Sequence, residues 1–189
     1  APYGLDGSGV TVMVYDGGTA LTTHNDFSGR ASIRDGSSLS DHATHVAGTI
    51  GGDGSTTANN RGMAPGVTIN SYGFEYDGSG TFLYTNPGDI ETDYQSGFVN
   101  FGSMVANNSI GSNTEINGFP CSIQGDYGVT SGVIDEVVRG SVGAPAIVVW
   151  AAGNERQGSS CDVEGFGDYY SSAPPSLAKN SIGIGAVNA

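Results

Sequence analysis

The segment Asp41-His42-Ala43-Thr44-His45 carries side chains for acid–base or metal chemistry and leads into an apolar, helix-like pattern. Histidine titrates near neutral pH, so it serves as a general base or, when neutral, as a metal ligand. The two histidines have three possible interpretations. They are a catalytic base with a structural neighbour, a pair of zinc ligands, or two ordinary polar residues at the start of a helix. A zinc pair needs further ligands, and the third histidine, His24, is remote in sequence, so the zinc interpretation is disfavoured.

Polar residues also follow apolar, β-branched runs of the kind found in parallel strands buried on both faces. Asp16 follows the run at 10–15, and Asn154 lies shortly after the run at 147–150. In open parallel sheets, ligands bind beyond the carboxyl ends of the strands. We therefore predict that a strand-end aspartate, a helix-start histidine and a strand-end asparagine converge on one cleft.

Strand-like and helix-like segments alternate along the chain. The predicted strands lie at 10–15, 67–69, 104–106, 147–150 and 182–184, and the predicted helices at 42–50, 89–99 and 129–138. This alternation indicates an α/β fold with a doubly wound, mostly parallel sheet and helices on both faces. Neither a repeat nor a long linker interrupts it, so residues 1–189 are predicted to belong to a single domain.

The composition argues against several classes of partner and cofactor. Six Lys plus Arg stand against 19 Asp plus Glu, a net charge of −13, so few cations are available for nucleic acid or anionic membranes. No apolar run approaches the length of a membrane helix. Gly7-Ser8-Gly9 precedes a predicted strand instead of following it, so the dinucleotide-binding fingerprint fails.

Two cysteines, Cys121 and Cys161, lie in polar surroundings rich in glycine and serine. If the protein is exported, they are predicted to form a disulfide, and the alternative is two unpaired thiols. Few lysines with abundant Gly, Ser, Thr and Asn are common in secreted bacterial enzymes, so a secreted, extracellular protein is expected.

Five motifs occur in the order seen in the subtilisin-like serine proteases, the subtilases. They are VMVYDGG (12–18), HATHVAGTIGG (42–52), GMAPGV (62–67), NNSIGS (107–112) and VVWAAGNE (148–155). Each motif is weak alone, but together they cover nearly the whole chain, and each lies at a predicted strand end or helix start. The chain therefore resembles the N-terminal part of a subtilase catalytic domain.

The resemblance assigns catalytic roles residue by residue. Asp16 matches the triad aspartate, His42 the catalytic base and His45 a structural neighbour. Asn154 matches the side-chain donor of the oxyanion hole. Acyl transfer needs these residue types, because a base must act near neutral pH, a carboxylate must hold its tautomer, and a donor must stabilise the developing oxyanion.

The resemblance also implies substrate-binding segments. Ser109-Ile110-Gly111 matches the strand that pairs with the substrate backbone and walls the P1 pocket. Gly78-Ser79-Gly80 resembles the segment that clamps the substrate from the opposite edge. Gly153 and Glu155 match positions at the P1 pocket, and Glu155 at its rim is expected to accept a basic P1 residue.

The family nucleophile lies in a Gly-Thr-Ser-Met-Ala-like motif downstream of the strand that residues 182–187 resemble, and this sequence ends at Ala189. Its only Thr-Ser pair, Thr130-Ser131, comes before Asn154 and opens a helix that the family uses as scaffold. The resemblance therefore implies that the C-terminal part of the fold is missing here. The serine is expected on that remainder, which is either a nicked fragment bound as a separate chain or a part removed by truncation. The third alternative is a half-domain that never carried a serine.

The sequence thus predicts a secreted serine endopeptidase that hydrolyses protein or peptide substrates through an Asp-His-Ser triad. The alternative is a catalytically inactive subtilase-like module that binds peptides, but such a module has no reason to keep Asp16, His42 and Asn154 together. No cofactor is expected for catalysis. Many subtilases bind structural calcium, and the loop at 52–60 permits this without defining a site.

One departure from the family pattern lies beside the proposed triad aspartate. Gly17-Gly18 replaces the commoner Thr/Ser-Gly, and this change is expected to remove one hydrogen bond to the carboxylate. The departure does not rule out activity.

Overall fold

A computed structural model describes residues 3–74, 83–112, 114, 118–155, 161 and 172–186. By their internal contacts the residues form two compact units. The first unit comprises Ala1–Glu75 and Thr92–Asn108, and the second comprises Tyr76–Glu91 and Ser109–Ala189. That residues 1–189 belong to a single domain stays a prediction.

A parallel sheet organises the first unit. In its described part the strands are β1 (Thr11–Asp16), β2 (Ala31–Ile33), β3 (Thr68–Gly73) and β4 (Val105–Asn108), in the order β2-β3-β1-β4. Residues 12–16 of β1 are buried, and this strand has a paired neighbour on each side. Asp16 pairs with Gly73, and Tyr15 pairs with Asn108, so β1, β3 and β4 end at the same edge of the sheet.

Helix α1 (Asp41–Gly51) covers one face of this sheet with small residues. Its Ala43 and Ala47 are buried in a cluster with apolar residues of β1 and β3. A Cβ built on Gly51 would lie only 2.7 Å from Cγ2 of Val67, so glycine is needed where the helix approaches the sheet most closely. The small face therefore lets the helix backbone lie directly against the strands.

Aromatic side chains cover the opposite face of β1. Helix α2 (Ile90–Gln95) continues into a π-helical turn, Ser96–Asn100. Tyr94 packs edge-on against Tyr15, with 5.7 Å between ring centroids, and its hydroxyl donates to Oδ1 of Asn108 at 2.8 Å. Helical segments thus lie on both faces of the sheet of the first unit, which confirms the predicted doubly wound arrangement.

The second unit contains β5 (Ile147–Ala151), β6 (Ile182–Ile184) and helix α3 (Val129–Val138). β5 and β6 pair in parallel, and the amide of Ala152 extends their ladder by donating to the carbonyl oxygen of Ile184 at 2.8 Å. Asp135 on α3 accepts the amide of Asn180 at 2.7 Å, which fixes the chain just before β6. All of β6 is exposed, contrary to the prediction of strands buried on both faces, because nothing else in the described chain covers it.

Most predicted elements are confirmed, with shifts at their ends. α3 has the predicted bounds, whereas α1 begins one residue early because the hydroxyl of Ser40 accepts the amide of Ala43 at 3.2 Å and caps the helix. β2 was not predicted, since three partly exposed residues at a sheet edge give no periodic signal. Among the described residues, no helix is long and apolar enough to cross a membrane.

Candidate active site

The end of β1 and the start of α1 bring Asp16 and His42 together within the first unit. Nδ1 of His42 lies 2.8 Å from Oδ1 and 2.9 Å from Oδ2 of Asp16. The imidazole is 60% exposed, whereas the carboxylate is 2% exposed. The ring is therefore anchored at Nδ1, and its exposed part can meet a reactant through Nε2.

The buried carboxylate of Asp16 is held in one orientation. Its Oδ1 also accepts the backbone amide of Gly17 at 2.7 Å. Burial raises the pKa of Asp16 above its ordinary value, although the hydrogen bonds from His42 and Gly17 act in the opposite direction. The Nδ1–H tautomer of His42 satisfies this acceptor, so Nε2 is left unprotonated and able to act as a base.

The two glycines after Asp16 differ in the space that each leaves for a side chain. A Cβ on Gly17 would meet nothing within 4 Å, whereas a Cβ on Gly18 would lie 2.6 Å from the carbonyl oxygen of Ser38 and 2.9 Å from Cβ of Ser40. Ser40 caps α1, so crowding at Gly18 would push against the start of the helix that carries His42. The family departure at Gly17 is therefore spatially open, and glycine is required at Gly18.

Gly17→Ala is expected to keep or slightly raise the free energy of unfolding, since alanine restricts the unfolded chain by about 0.4–1 kcal/mol. Gly18→Ala is the matched comparison and is expected to lose roughly 1–3 kcal/mol through overpacking. Urea unfolding of both variants beside the wild-type protein measures the difference. Equal stabilities of the two variants would contradict the tight contact at Gly18.

His45 lies one helical turn after His42 and is exposed. It lines a surface cavity of about 470 Å³ together with His24, Arg61 and Met63. His45 was predicted as a structural neighbour of the catalytic base. Helix α1 buries Ala43, Ala47 and Gly51, and His45, two residues from each alanine, lies on the opposite, exposed face of the helix.

The loop at 52–60, whose composition permits calcium without defining a site, is held by hydrogen bonds to carboxylates. Oδ1 of Asp26 accepts the amide of Thr56 at 2.7 Å and the hydroxyl of Ser55 at 3.1 Å. Oδ1 of Asp53 accepts the amide of Ser55 at 2.9 Å. The bonds from Thr56 and then from Ser55 lower the pKa of Asp26. Asp26 and Asp53 thus hold the loop through hydrogen bonds, and calcium binding stays a prediction.

Arg30 completes this corner of the first unit with its guanidinium. Nη1 donates to the carbonyl oxygens of Gly51 at 2.9 Å and Val67 at 3.0 Å, and Nη2 donates to that of Asp26 at 3.0 Å. Nη2 also lies 3.5 Å from Oδ2 of Asp53. Within the described residues, no three His, Cys, Asp or Glu side chains gather as metal ligands would.

The remaining predicted site residues belong to the second unit. Asn154 and Gly153 are exposed just after β5, and the φ of Gly153 is 108°, in the left-handed region. Ser109-Ile110-Gly111 is partly buried and irregular, and its centre is fixed because Nε1 of Trp150 donates to the carbonyl oxygen of Ile110 at 2.6 Å. Gly78, Ser79 and Gly80 lie outside the described residues.

Glu155 is buried, with 7% of its surface exposed, and Oε2 accepts the hydroxyl of Thr114 at 2.9 Å. Glu155 was predicted at the rim of the P1 pocket, and its partner Thr114 carries no sequence signal that marks it. Cys121 and Cys161 form the predicted disulfide across a sequence separation of 40 residues.

The chain belongs to the subtilase family, whose sequence profile matches residues 7–189. Among solved structures it is similar to a cold-adapted subtilisin-like serine proteinase, with 25% identity, a TM-score of 0.51, and coverage of 81% of this chain and 50% of that chain. It is also similar to the patellamide maturation protease PatA, with 21% identity, a TM-score of 0.63, and coverage of 97% and 58%.

A third similar structure is the prenylagaramide maturation protease PagA, with 23% identity, a TM-score of 0.62, and coverage of 95% of this chain and 54% of that chain. This chain therefore spans about half the length of the solved proteins that it matches. No curated protein gives a significant match. The family and the parallel α/β fold confirm what the motifs predicted.

Proposed function

We propose that this chain supplies the aspartate, the base and an oxyanion donor of a secreted serine endopeptidase. The observation that carries the proposal is the pair formed by Asp16 and His42, in which a buried carboxylate binds Nδ1 of an exposed imidazole. Membership of the subtilase family supports acyl transfer as the reaction class. The proposed substrates are proteins or peptides.

In the proposed mechanism, Asp16 holds the Nδ1–H tautomer of His42. Nε2 then removes the proton from a serine hydroxyl as the serine oxygen attacks the carbonyl carbon of the scissile peptide bond. The buried carboxylate stabilises the imidazolium, which gives its proton to the leaving amine, and water then hydrolyses the acyl-enzyme with His42 again as base. From its place in the family motif, Asn154 is proposed to donate its side-chain N–H to the developing oxyanion.

The nucleophilic serine is proposed to lie on a C-terminal remainder of the same protease, joined to this chain or held as a separate chain. The chain spans about half of its solved relatives, which supports this assignment. Ser131, of the only Thr-Ser pair, is fully buried on α3 and cannot meet a substrate there. In the second unit, Ile147, Ile182 and Ile184 are each at least half exposed, as expected for a strand surface that another segment covers.

The proposed extracellular location is supported by the disulfide between Cys121 and Cys161, since disulfides persist in oxidising compartments. The basic P1 preference expected from Glu155 has no support in its buried position. No cofactor is proposed for the chemistry, and a structural calcium ion at an undefined site stays an expectation.

A fluorophosphonate probe tests the proposed function on the purified protein. We expect the probe to label a serine outside residues 1–189, on a species heavier than 19.1 kDa under native conditions. His42→Ala should abolish labelling and peptide hydrolysis, because the serine loses its base. A protein that binds peptides but neither reacts with the probe nor cleaves them would instead be the inactive peptide-binding module.

A further inference from the structure

The direction of the Asn154 side chain depends on the backbone around it. Asn154 is exposed, and no hydrogen bond joins its amide to another described residue. The preceding Gly153 is in a left-handed conformation with a φ of 108°, so the chain turns at this point. The direction of the Asn154 side-chain amide therefore depends on how firmly the backbone around it is held.

Two anchors flank that turn. Before it, the amide of Ala152 donates to the carbonyl oxygen of Ile184 at 2.8 Å, which ties the end of β5 to β6. After it, Glu155 turns inward and places its carboxylate in the interior of the second unit. A buried carboxylate is costly without hydrogen-bond donors, so the partners of Glu155 decide whether the second anchor holds.

One partner of Glu155, Thr114, belongs to a buried chain of hydrogen-bond donors. Nε2 of Gln124 donates to Oγ1 of Thr114 at 3.0 Å, and Oγ1 of Thr114 donates to Oε2 of Glu155 at 2.9 Å. Thr114 is fully buried, and the exposed fractions of Gln124 and Glu155 are both 7%. Thr114 accepts a hydrogen bond from Gln124 and donates one to Glu155. The three residues therefore form a relay in which each donor points toward the carboxylate of Glu155.

The far end of the relay is tied to the disulfide. Gln124 directly follows the 3₁₀ turn Cys121–Ile123, and its backbone N–H donates to the carbonyl oxygen of Cys121 at 3.0 Å. Cys121 is bonded to Cys161. The relay therefore connects a covalently restrained turn to the residue next to Asn154.

We propose that Glu155 is a positioning residue for Asn154 and that the relay through Thr114 and Gln124 holds it in place, an inference that rests on the proposed function. Its carboxylate is directed into the protein to fix the turn, so it does not select a basic P1 residue. The relay matters for the reaction only through the direction of the Asn154 amide.

The test uses the complete protease and two substitutions at Thr114. Thr114→Val keeps the shape but removes both hydrogen bonds, whereas Thr114→Ser keeps the hydroxyl and is the matched control. We expect Thr114→Val to lower kcat by up to about 10²-fold, since misplacement of a catalytic group by about 1 Å has that cost. Thr114→Ser should retain the wild-type kcat.

A double-mutant cycle with Asn154→Leu separates positioning from general damage. Asn154→Leu should lower kcat by roughly 10²–10³, the magnitude known for loss of this donor in subtilisin itself. In that background Thr114→Val should have no further effect on kcat, because the donor that it misplaces is gone. Equal losses in both backgrounds, or no loss in either, would overturn the proposal.

Failure of the proposed function gives a different pattern. If Asn154→Leu keeps full activity, Asn154 is not the oxyanion donor, and amide hydrogen exchange at residues 153–155 then tests the relay alone. Faster exchange in Thr114→Val than in Thr114→Ser supports the relay as the anchor of the turn, and equal exchange overturns it. Far-UV circular dichroism verifies folding of each variant, and Gln124→Met replaces Thr114→Val if the latter does not fold.

Discussion

Asp16→Asn is expected to lower kcat of the complete protease by about 10⁴, the cost of the corresponding change in a serine protease triad. Asparagine has the same shape, but its amide N–H favours the tautomer of His42 that carries hydrogen on Nε2. That tautomer cannot accept the proton of a serine hydroxyl. Steady-state hydrolysis of a peptide substrate near pH 8 measures the loss.

Asp41→Asn is the matched control for this substitution. Asp41 is exposed at the start of α1 and directly precedes His42 in sequence. Its substitution removes the same charge near His42 without changing a partner of His42 Nδ1. It should leave kcat nearly unchanged. If both variants had the same activity, the role of Asp16 in orienting His42 would be refuted.

The same Asp16→Asn substitution is expected to stabilise the folded chain at neutral pH. Burial raises the pKa of Asp16 above its ordinary value of 3.8, so the folded state binds the proton more tightly than the unfolded state. The stability associated with this group is therefore greatest below the unfolded pKa and is lost as pH rises through the folded pKa. The urea midpoints of the variant and the wild type should diverge as pH rises from the unfolded pKa through the folded pKa of Asp16. They should remain different at pH 7. A wild-type protein that is the more stable of the two at pH 7 would contradict the raised pKa.

Loss of the disulfide between Cys121 and Cys161 is expected to lower the free energy of unfolding by about 4 kcal/mol in the chain-entropy estimate. The bond closes a loop with a sequence separation of 40 residues, so it removes many conformations from the unfolded chain. Urea unfolding of the Cys121→Ser, Cys161→Ser double variant measures the change.

Reducing agent provides the control for the disulfide. It should bring the wild-type protein to the stability of the double variant and leave the double variant unchanged. A wild-type protein that keeps its stability after complete reduction of the bond would show that the crosslink does not restrain the unfolded chain in the expected way.

The pairing of Asp16 with His42 could be predicted because it depends on element ends. An apolar strand pattern stops at Asp16, and an apolar helix-like pattern starts at His42, so both residues occupy positions that the sequence marks. Convergence of Asn154 with this pair stays a prediction, since these residues belong to different units.

The inward direction of Glu155 could not be predicted. Its burial depends on Thr114, which is 41 residues away along the chain and carries no pattern that marks it as a partner. The motif around Asn154 indicated function, but the hydrogen bonds that hold the motif depend on tertiary contacts. The short strand β2 was missed for a similar reason, because pairing with β3 defines it and its own sequence does not.

Arg30 has a consequence for the conditions that the first unit can tolerate. A dissolved ion stabilises a fold only to the extent that its concentration exceeds its dissociation constant. The guanidinium of Arg30 is covalently attached to the chain, so it always occupies the position between the carbonyl oxygens of Gly51 and Val67. Unlike a bound ion, the guanidinium of Arg30 does not dissociate on dilution, and chelators in the medium cannot remove it.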